Sequence, residues 1–329
     1  MLTNLAPLVF LLLLILFTRQ VRRSALGGET WRRLRWEKRA RGALWVLGIY
    51  LFIALVDSFA LGEKTILDRL VGRTPERTYS APLGRATVGE SVSQPLKEPG
   101  THLLGTDAVG NDTLTLTLKG VRTSLLIGGG TSLAIVPLAV LLGLLAGYFG
   151  RRFLIDDLLG YVTNVLACIP TILLQIALIL VLGRGIASTC LALGLTQWIG
   201  LYRLVRGEAL RLREREFIQA AQLLGVGSRG ILLRHLLPNV LPTVIIGATL
   251  GFGDLVLSET VLTYLGIGLT SDQGSWGNML NTARDELNRE PVIWWNLASS
   301  GTALLGLVLS VNILGDALRD ALDPRLRIR

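Results

Sequence analysis

A chain of 329 residues that is 50% hydrophobic and only 17% charged does not read as a soluble protein, where roughly 25% charged residues is usual and polar surface must cover the core. Its formal net charge of +9 does not mark a nucleic-acid binder, because most of the excess Lys and Arg sits beside apolar blocks, as at cytoplasmic membrane boundaries. Cys168 and Cys190 both lie inside apolar blocks and give neither a disulfide framework nor a metal spacing.

Seven blocks are long enough to cross about 30 Å of hydrocarbon, which takes about 20 helical residues. They are Leu2 to Thr18, Gly42 to Leu61, Ser124 to Tyr148, Leu158 to Leu182, Ile186 to Leu204, Val240 to Leu265 and Ile293 to Leu314. The first is the shortest. No basic residue precedes it and no small-residue cleavage site follows, so it reads as an uncleaved span rather than a signal peptide. Between the first two blocks lie Arg19, Arg22, Arg23, Arg32, Arg33, Arg35, Lys38, Arg39 and Arg41 against only Glu29 and Glu37. That excess places the segment inside the cell. Alternation then puts Arg151, Arg152, the stretch Arg203 to Arg234 and the tail with Arg319, Arg325, Arg327 and Arg329 inside as well. The fold class expected is all-α, a polytopic membrane protein of about seven transmembrane helices.

Four regions follow from this reading: two N-terminal spans joined by a basic cytoplasmic loop (1–61), an extracytoplasmic loop (62–123), a five-helix core (124–318) containing the cytoplasmic loop 203–238, and a cytoplasmic tail (319–329). The outer loop is rich in Pro, Gly and mixed charge and is expected to pack on the outer mouth. No internal repeat is visible, including the inverted halves frequent in secondary carriers.

The cytoplasmic loop is the informative one. From Arg203 to Leu224 it reads RLVRGEALRLREREFIQAAQLL, strong helix formers without proline, and Gly225 stands where a C-terminal stop belongs. Phe217, Ala220, Ala221 and Leu224 fall at i, i+3, i+4 and i+7, a narrow apolar stripe with two alanines that would let a partner surface approach the backbone. Gly225 and Gly227 make a turn, Ser228 can cap a second short helix, and Pro238 marks re-entry into the membrane. The alternative is an amphipathic helix lying on lipid headgroups.

Within the spans, Asp254 and Glu259 interrupt the sixth block, and Asp57 sits near the outer end of the second. Ionisable groups in spans face a cavity or a partner, because lipid exposure costs several kcal/mol. Asp254 and Glu259 are therefore candidate pathway residues, with a hydrogen-bonded structural carboxylate as the other reading. Gln197 could line the pore or merely anchor a neighbour. Gly143 and Gly147 form a small-xxx-small pair suited to close helix packing. Pro137 and Pro170 are candidate kinks.

The stretch Arg215 to Asn239, REFIQAAQLLGVGSRGILLRHLLPN, resembles the EAA loop of binding-protein-dependent ABC importer permeases, through Gln219, Ala220, Ala221, Gly225, Leu237 and Pro238. Gln219 stands where the pattern has Glu. Leu104 to Asp112 (LGTDAVGND), Gly120, Arg122, Ser124, Leu125, Ala146 to Gly150 (AGYFG), Ser275 to Gly277 and Leu314 to Leu326 (LGDALRDALDPRL) resemble, in order, the dipeptide/oligopeptide/nickel permease family and its second subunit type. Asn111 replaces the family's usual Arg, the usual Phe-Pro-Gly is missing from Trp295 to Gly301, and the first span is additional. The ordered matches cover about two thirds of the chain.

This resemblance implies a pairing with a second homologous permease subunit, two ATPase subunits and an extracytoplasmic solute-binding protein. It places ATPase coupling on Glu216, Phe217, Gln219, Ala220, Ala221, Leu224 and Gly225. The sequence holds no G-x-x-x-x-G-K-[ST] phosphate loop. The pore subunit is therefore expected to be non-catalytic and to bind no cofactor, with ATP and magnesium on the ATPases. Two rivals are an ion-coupled secondary transporter and an intramembrane protease. The protease needs a nucleophile and a base in the membrane, yet His102 and His235 both lie in loops and no G-x-S-x-G occurs.

The charge pattern generates a topology test. Reporter fusions or cysteine labelling after positions 30, 90, 220 and 329 should read in, out, in and in. A protected position 90, or a position 220 labelled in intact cells, contradicts the arrangement.

Overall fold

The computed structural model describes residues 34, 36–61, 64–89, 93–150 and 154–322. The expected first span, most of the basic segment after it, Arg151, Arg152, Arg325, Arg327 and Arg329 lie outside the described residues. In chain order come α1 (Lys38–Ser58), a short hairpin β1 (Ala60–Leu61) and β2 (Lys64–Thr65), α2 (Ile66–Leu70), α3 (Thr113–Phe149), α4 (Ile155–Cys168), α5 (Thr171–Leu182), α6 (Ile186–Arg213) and α7 (Glu216–Leu223). Then follow α8 (Ser228–Gly230), a π-helical segment (Ile231–Leu236), α9 (Leu237–Tyr264), α10 (Trp276–Glu286) and α11 (Trp295–Leu322).

Among the described residues, four helical runs are long and apolar enough to cross a membrane: α1, α3, the continuous run Ser228–Tyr264, and α11. These correspond to the expected second, third, sixth and seventh spans. Helix α6 covers the expected fifth span, but continues through Arg203, Arg206, Arg211 and Arg213, so it is not apolar along its length. The expected fourth span, Leu158 to Leu182, is not one straight helix. It breaks into α4 and α5, bent by 89°. The cause is Pro170, which cannot donate a backbone N–H and pushes the residue before it out of the helical region; Ile169 is extended at φ −93 and ψ 126. Pro137, by contrast, sits inside an unbroken α3.

The most extensive helix contact joins α3 to α6. It is possible because the facing positions on α3 are glycines. A Cβ on Gly147 would lie 2.6 Å from the Ala209 Cβ, and one on Gly143 would lie 2.7 Å from the Val205 side chain. Lipid offers apolar helices no hydrophobic drive to associate, so close backbone approach of this kind supplies the adhesion. Polar ties reinforce it: Arg213 donates to the carbonyls of Gly147 and Tyr148, both at 3.3 Å, and satisfies acceptors left free at the end of α3.

Above the bundle, at the end the charge pattern assigns to the outside, residues between α2 and α3 form a loop layer held by buried polar groups. Fully buried His102 brings Nδ1 to 3.0 Å from Asp112 Oδ1 and Nε2 to 3.5 Å from Glu76 Oε1. Burial pushes Glu76 up, but the amides of Lys97 and Glu98 and the neighbouring His102 together hold its carboxyl below the usual range. Asp112 also caps α3, accepting from the Thr115 amide at 2.9 Å. Asn111, the residue that departs from the family pattern, folds back to donate to Asp107 at 3.1 Å. The layer is pinned to the helix ends by Trp295, whose indole donates to the Thr106 carbonyl at 2.9 Å, and by Thr113, which donates to Asn296 at 2.9 Å.

If the α3–α6 crossing holds the bundle together, Gly147→Leu should lower the unfolding temperature of the detergent-solubilised protein, since overpacking a tight contact costs about 1–3 kcal/mol. The same change at Gly130, where an added Cβ meets nothing within 4 Å, should leave it near wild type. Equal behaviour of the two variants would contradict the role of the crossing.

Candidate functional site

Two places gather the residues singled out by the sequence. The first is a cavity of about 430 Å³ bounded by α3, α4, α5, α6 and α9. Its existence depends on the bend at Pro170, for Leu166, Ala167, Thr171 and Leu174 line it from either side of the break. The wall contributed by α9 is thinned by Gly247, Ala248 and Gly251. Its polar positions are Ser132, Thr171, Thr196, Gln197, Arg203 and Asp254, and only the last two carry charge.

Each polar side chain has a distinct setting. Gln197 donates from Nε2 to Ser258 at 3.0 Å and so links α6 to α9. Thr196 accepts from the buried Gln175 at 2.9 Å, linking α6 to α5. The guanidinium of Arg203 donates to the Thr163 carbonyl and to Asn164 Oδ1 on α4, both at 3.2 Å. Asp254 is exposed on the cavity wall and, among the described residues, makes no hydrogen bond or ion pair.

The two carboxylates of the sixth apolar block therefore part company. Glu259 does not line the cavity; it is fully buried and accepts from Thr263 and Ser275, each at 3.0 Å. Ser275 in turn caps α10, accepting from the Gly277 amide at 3.1 Å. Glu259 thus fastens α9 to the Ser275–Gly277 segment, which is the structural reading of this residue. Asp57 is similar: it is buried, accepts from Thr65 at 3.0 Å and lies 3.6 Å from Arg122.

The second place is the cytoplasmic loop. The expected single helix from Arg203 to Leu224 is two helices, α6 ending at Arg213 and α7 starting at Glu216. Gln219 donates to the Glu214 carbonyl at 3.3 Å across this break, a bond that an ionised Glu could not make because it carries no donor. The expected stripe also divides. Ile218 and Ala221 point inward, 0% and 7% exposed, and Ile218 joins a cluster with Leu144, Leu212, Ile231 and Leu236. Glu216, Gln219 and Ala220 are exposed, as are Phe217 at 43%, Leu223 at 90% and Leu224 at 84%. Leu223 was not singled out from the sequence; its place three residues after Ala220 on a helix would have found it.

The helix stop falls at Gly225, with φ +78. The Val226 amide donates to the Ala221 carbonyl and the Gly225 amide to that of Gln222, both at 3.0 Å, the paired bonds of a Schellman ending. Ser228 does not cap the next helix: Gly227 holds that position without a side-chain bond. The chain then runs continuously through the π-helical segment into α9, and Pro238, which has no N–H to give to the preceding turn, stands just after that segment.

Comparison with known proteins places this architecture. Residues 139–328 match the family described as binding-protein-dependent transport system inner membrane component. The dipeptide transport system permease protein DppC of Alkalihalophilus pseudofirmus is 37% identical over 226 residues, covering 69% of this chain and 73% of the relative. DppC of Bacillus subtilis is 30% identical over 299 residues, covering 91% of this chain and 86% of the relative. The oligopeptide transport system permease protein OppC of Haemophilus influenzae is 36% identical over 228 residues, covering 69% and 72%. The family match takes in α4, α5, α6, α9 and the cytoplasmic loop together, not a single shared motif. The chain belongs to the family of binding-protein-dependent transport system inner membrane components, and is a multi-pass permease subunit of an ABC importer in a bacterial inner membrane.

Proposed function

We propose that this subunit forms half of a translocation pathway for short peptides. In the assembled importer it pairs with a second homologous permease, receives substrate from an extracytoplasmic solute-binding protein, and is driven by two ATPase subunits docked on α7. ATP and magnesium act on those ATPases; this chain contributes no catalytic group and holds no cofactor. The peptide assignment is supported by the relatives, which are named as dipeptide and oligopeptide permeases.

The observation that carries the docking reading is the outward face of α7. Leu223 and Leu224 stand almost fully exposed beside Phe217 and Ala220, while Ile218 and Ala221 anchor the helix from below. A rigidly based apolar tip suits a protein groove, and burying one Leu there is worth about 1.5–3 kcal/mol, or at least tenfold in association. The ion-coupled carrier is the weaker reading, because a carrier has no use for this tip.

Substitutions on α7 and ATP turnover test the proposal. Ala220→Arg and Leu224→Asp should insert and pair with the partner permease yet lose ATPase subunits on co-purification, with uptake falling in parallel. Ala221→Arg tests something different, since that side chain packs within its own chain, and should instead reduce the amount of folded protein. Gly225→Val should also weaken ATPase association, because a β-branched residue is strained at φ +78. Retained ATPase binding in Leu224→Asp would return α7 to the lipid surface. The purified subunit should turn over no ATP, whereas the assembled complex should do so and respond to loaded binding protein.

A further inference from the structure

The cavity holds two charged side chains, and they do not neutralise one another. Asp254 lacks any hydrogen-bond or ionic partner among the described residues. Arg203 instead spends part of its donor set on α4, through the Thr163 carbonyl and Asn164. A carboxylate held within a membrane span without a counter-charge is costly, and a guanidinium has five donors of which these bonds use few. The wall is thus complementary to a solute that brings its own cation and its own anion.

The spacing of the two charges fits that solute. Helices α6 and α9 run antiparallel, in register through the Gln197–Ser258 bond and through Leu201 and Leu204 against Gly247. Leu201 and Leu204 bracket Gly247, which sets Arg203 about level with Gly247 and Asp254 seven residues further toward the outer end, roughly 10 Å at 1.5 Å per residue. Two to three residues of extended peptide span roughly 7–11 Å. On the outer side of Asp254, Gln197 has committed its amide nitrogen to Ser258, which leaves its carbonyl oxygen as a further acceptor near the ammonium end of a solute. The volume of about 430 Å³ lies within the range of small-ligand sites.

We infer that Asp254 and Arg203 are specificity-determining residues of the pathway: the Asp254 carboxylate takes the ammonium end of a short peptide, and the Arg203 guanidinium takes its carboxylate. The inference rests on the peptide-permease reading above and adds polarity to it. The amino terminus faces the outer end and the carboxyl terminus the cytoplasmic end.

The test uses the full importer in proteoliposomes, with uptake normalised to assembled complex and with the binding protein saturated in every case. The probes are radiolabelled alanyl-alanine and its C-terminal amide. Asp254→Asn should reduce the maximal uptake of both about ten- to hundredfold, the worth of one charge-assisted hydrogen bond, and Asp254→Glu should recover part of it. Arg203→Gln should reduce uptake of alanyl-alanine by a similar factor but leave uptake of the amide, which lacks the carboxylate, unchanged. Wild-type uptake in both variants, or equal losses on the two probes in Arg203→Gln, would overturn the inference while leaving the peptide reading intact. Failure of Asp254→Asn to assemble, cured by Asp254→Glu, would assign Asp254 to subunit pairing and also overturn it. An assembled wild-type complex whose ATPase responds to loaded binding protein but which takes up neither probe would overturn the peptide reading and this assignment together.

Discussion

The close approach of α3 and α6 is the contact on which the rest of the structure depends. Because Gly143 and Gly147 leave no side chain in the crossing, the backbone of α6 lies against α3 with Val205 and Ala209 filling the remaining space. In a membrane this is a packing interaction, not a hydrophobic one, and it fails steeply with added volume. Helix α6 carries Thr196, Gln197 and Arg203 at the cavity and ends beside α7. Its position on α3 therefore sets both the polar wall of the cavity and the height of the cytoplasmic tip. Arg213 and the Arg206–Asp156 ion pair, 2.7 Å at its second contact, fix the cytoplasmic half of the same helix to α3 and α4.

The bend at Pro170 is the complementary device. A straight helix from Leu158 to Leu182 would present a continuous apolar surface and close the space beside α6. The 89° break turns the two halves away from one another and opens a volume into which α6 and α9 project their polar groups. The cost in backbone hydrogen bonds is contained, because the Pro170 carbonyl accepts from the Leu173 and Leu174 amides at 2.9 and 3.2 Å and so starts α5. Irregular backbone at membrane depth is tolerated where it is buried in protein or borders a cavity, and here it does the latter.

Much of this was legible in the sequence because composition and period report burial directly. The helices α1, α3, α9 and α11 follow from apolar blocks bounded by charge, and the Gly143–Gly147 pair from its spacing. Pro170 was visible as a candidate kink, but its geometry was not: Pro137, in an equally apolar block, leaves α3 continuous. A proline states that one hydrogen bond is lost, and tertiary packing decides whether the helix bends or breaks. The cytoplasmic loop shows the same limit. An apolar stripe can be read at 3.6-residue period, yet its member Ala221 is buried while Ala220 and Leu224 are exposed, and the inward face is set by Ile218, which packs with Leu144 and Ile231. Asp254 and Glu259 were indistinguishable as isolated acids. Their difference comes from Thr263, one turn further along α9, and from Ser275, whose arrival at Glu259 depends on the course of the chain after α9.

The two helices that bear the charged cavity residues are also the two that flank α7 in the chain. Arg203 lies on α6, which runs without interruption to Arg213, and Asp254 lies on α9, which continues from the π-helical segment Ile231–Leu236. One apolar cluster binds these parts, with Val205, Ala209 and Leu212 from α6, Ile218 from α7, Ile231 and Leu236 from the π-helical segment, and Val240 and Val244 from α9. Close-packed clusters of this kind transmit displacement rather than absorb it. A load applied to the exposed tip at Leu223 and Leu224 therefore reaches both charged walls through the same buried residues. The compliant element on that route is the π-helical segment, where the hydrogen-bond pattern departs from that of α9 and where such departures accompany hinges and functional sites. Helix α6 has no equivalent break between the cavity and Arg213. Motion of α7 would shift Arg203 with a rigid rod, and Asp254 through a looser joint, so the separation of the two charges is the quantity that changes when the tip moves.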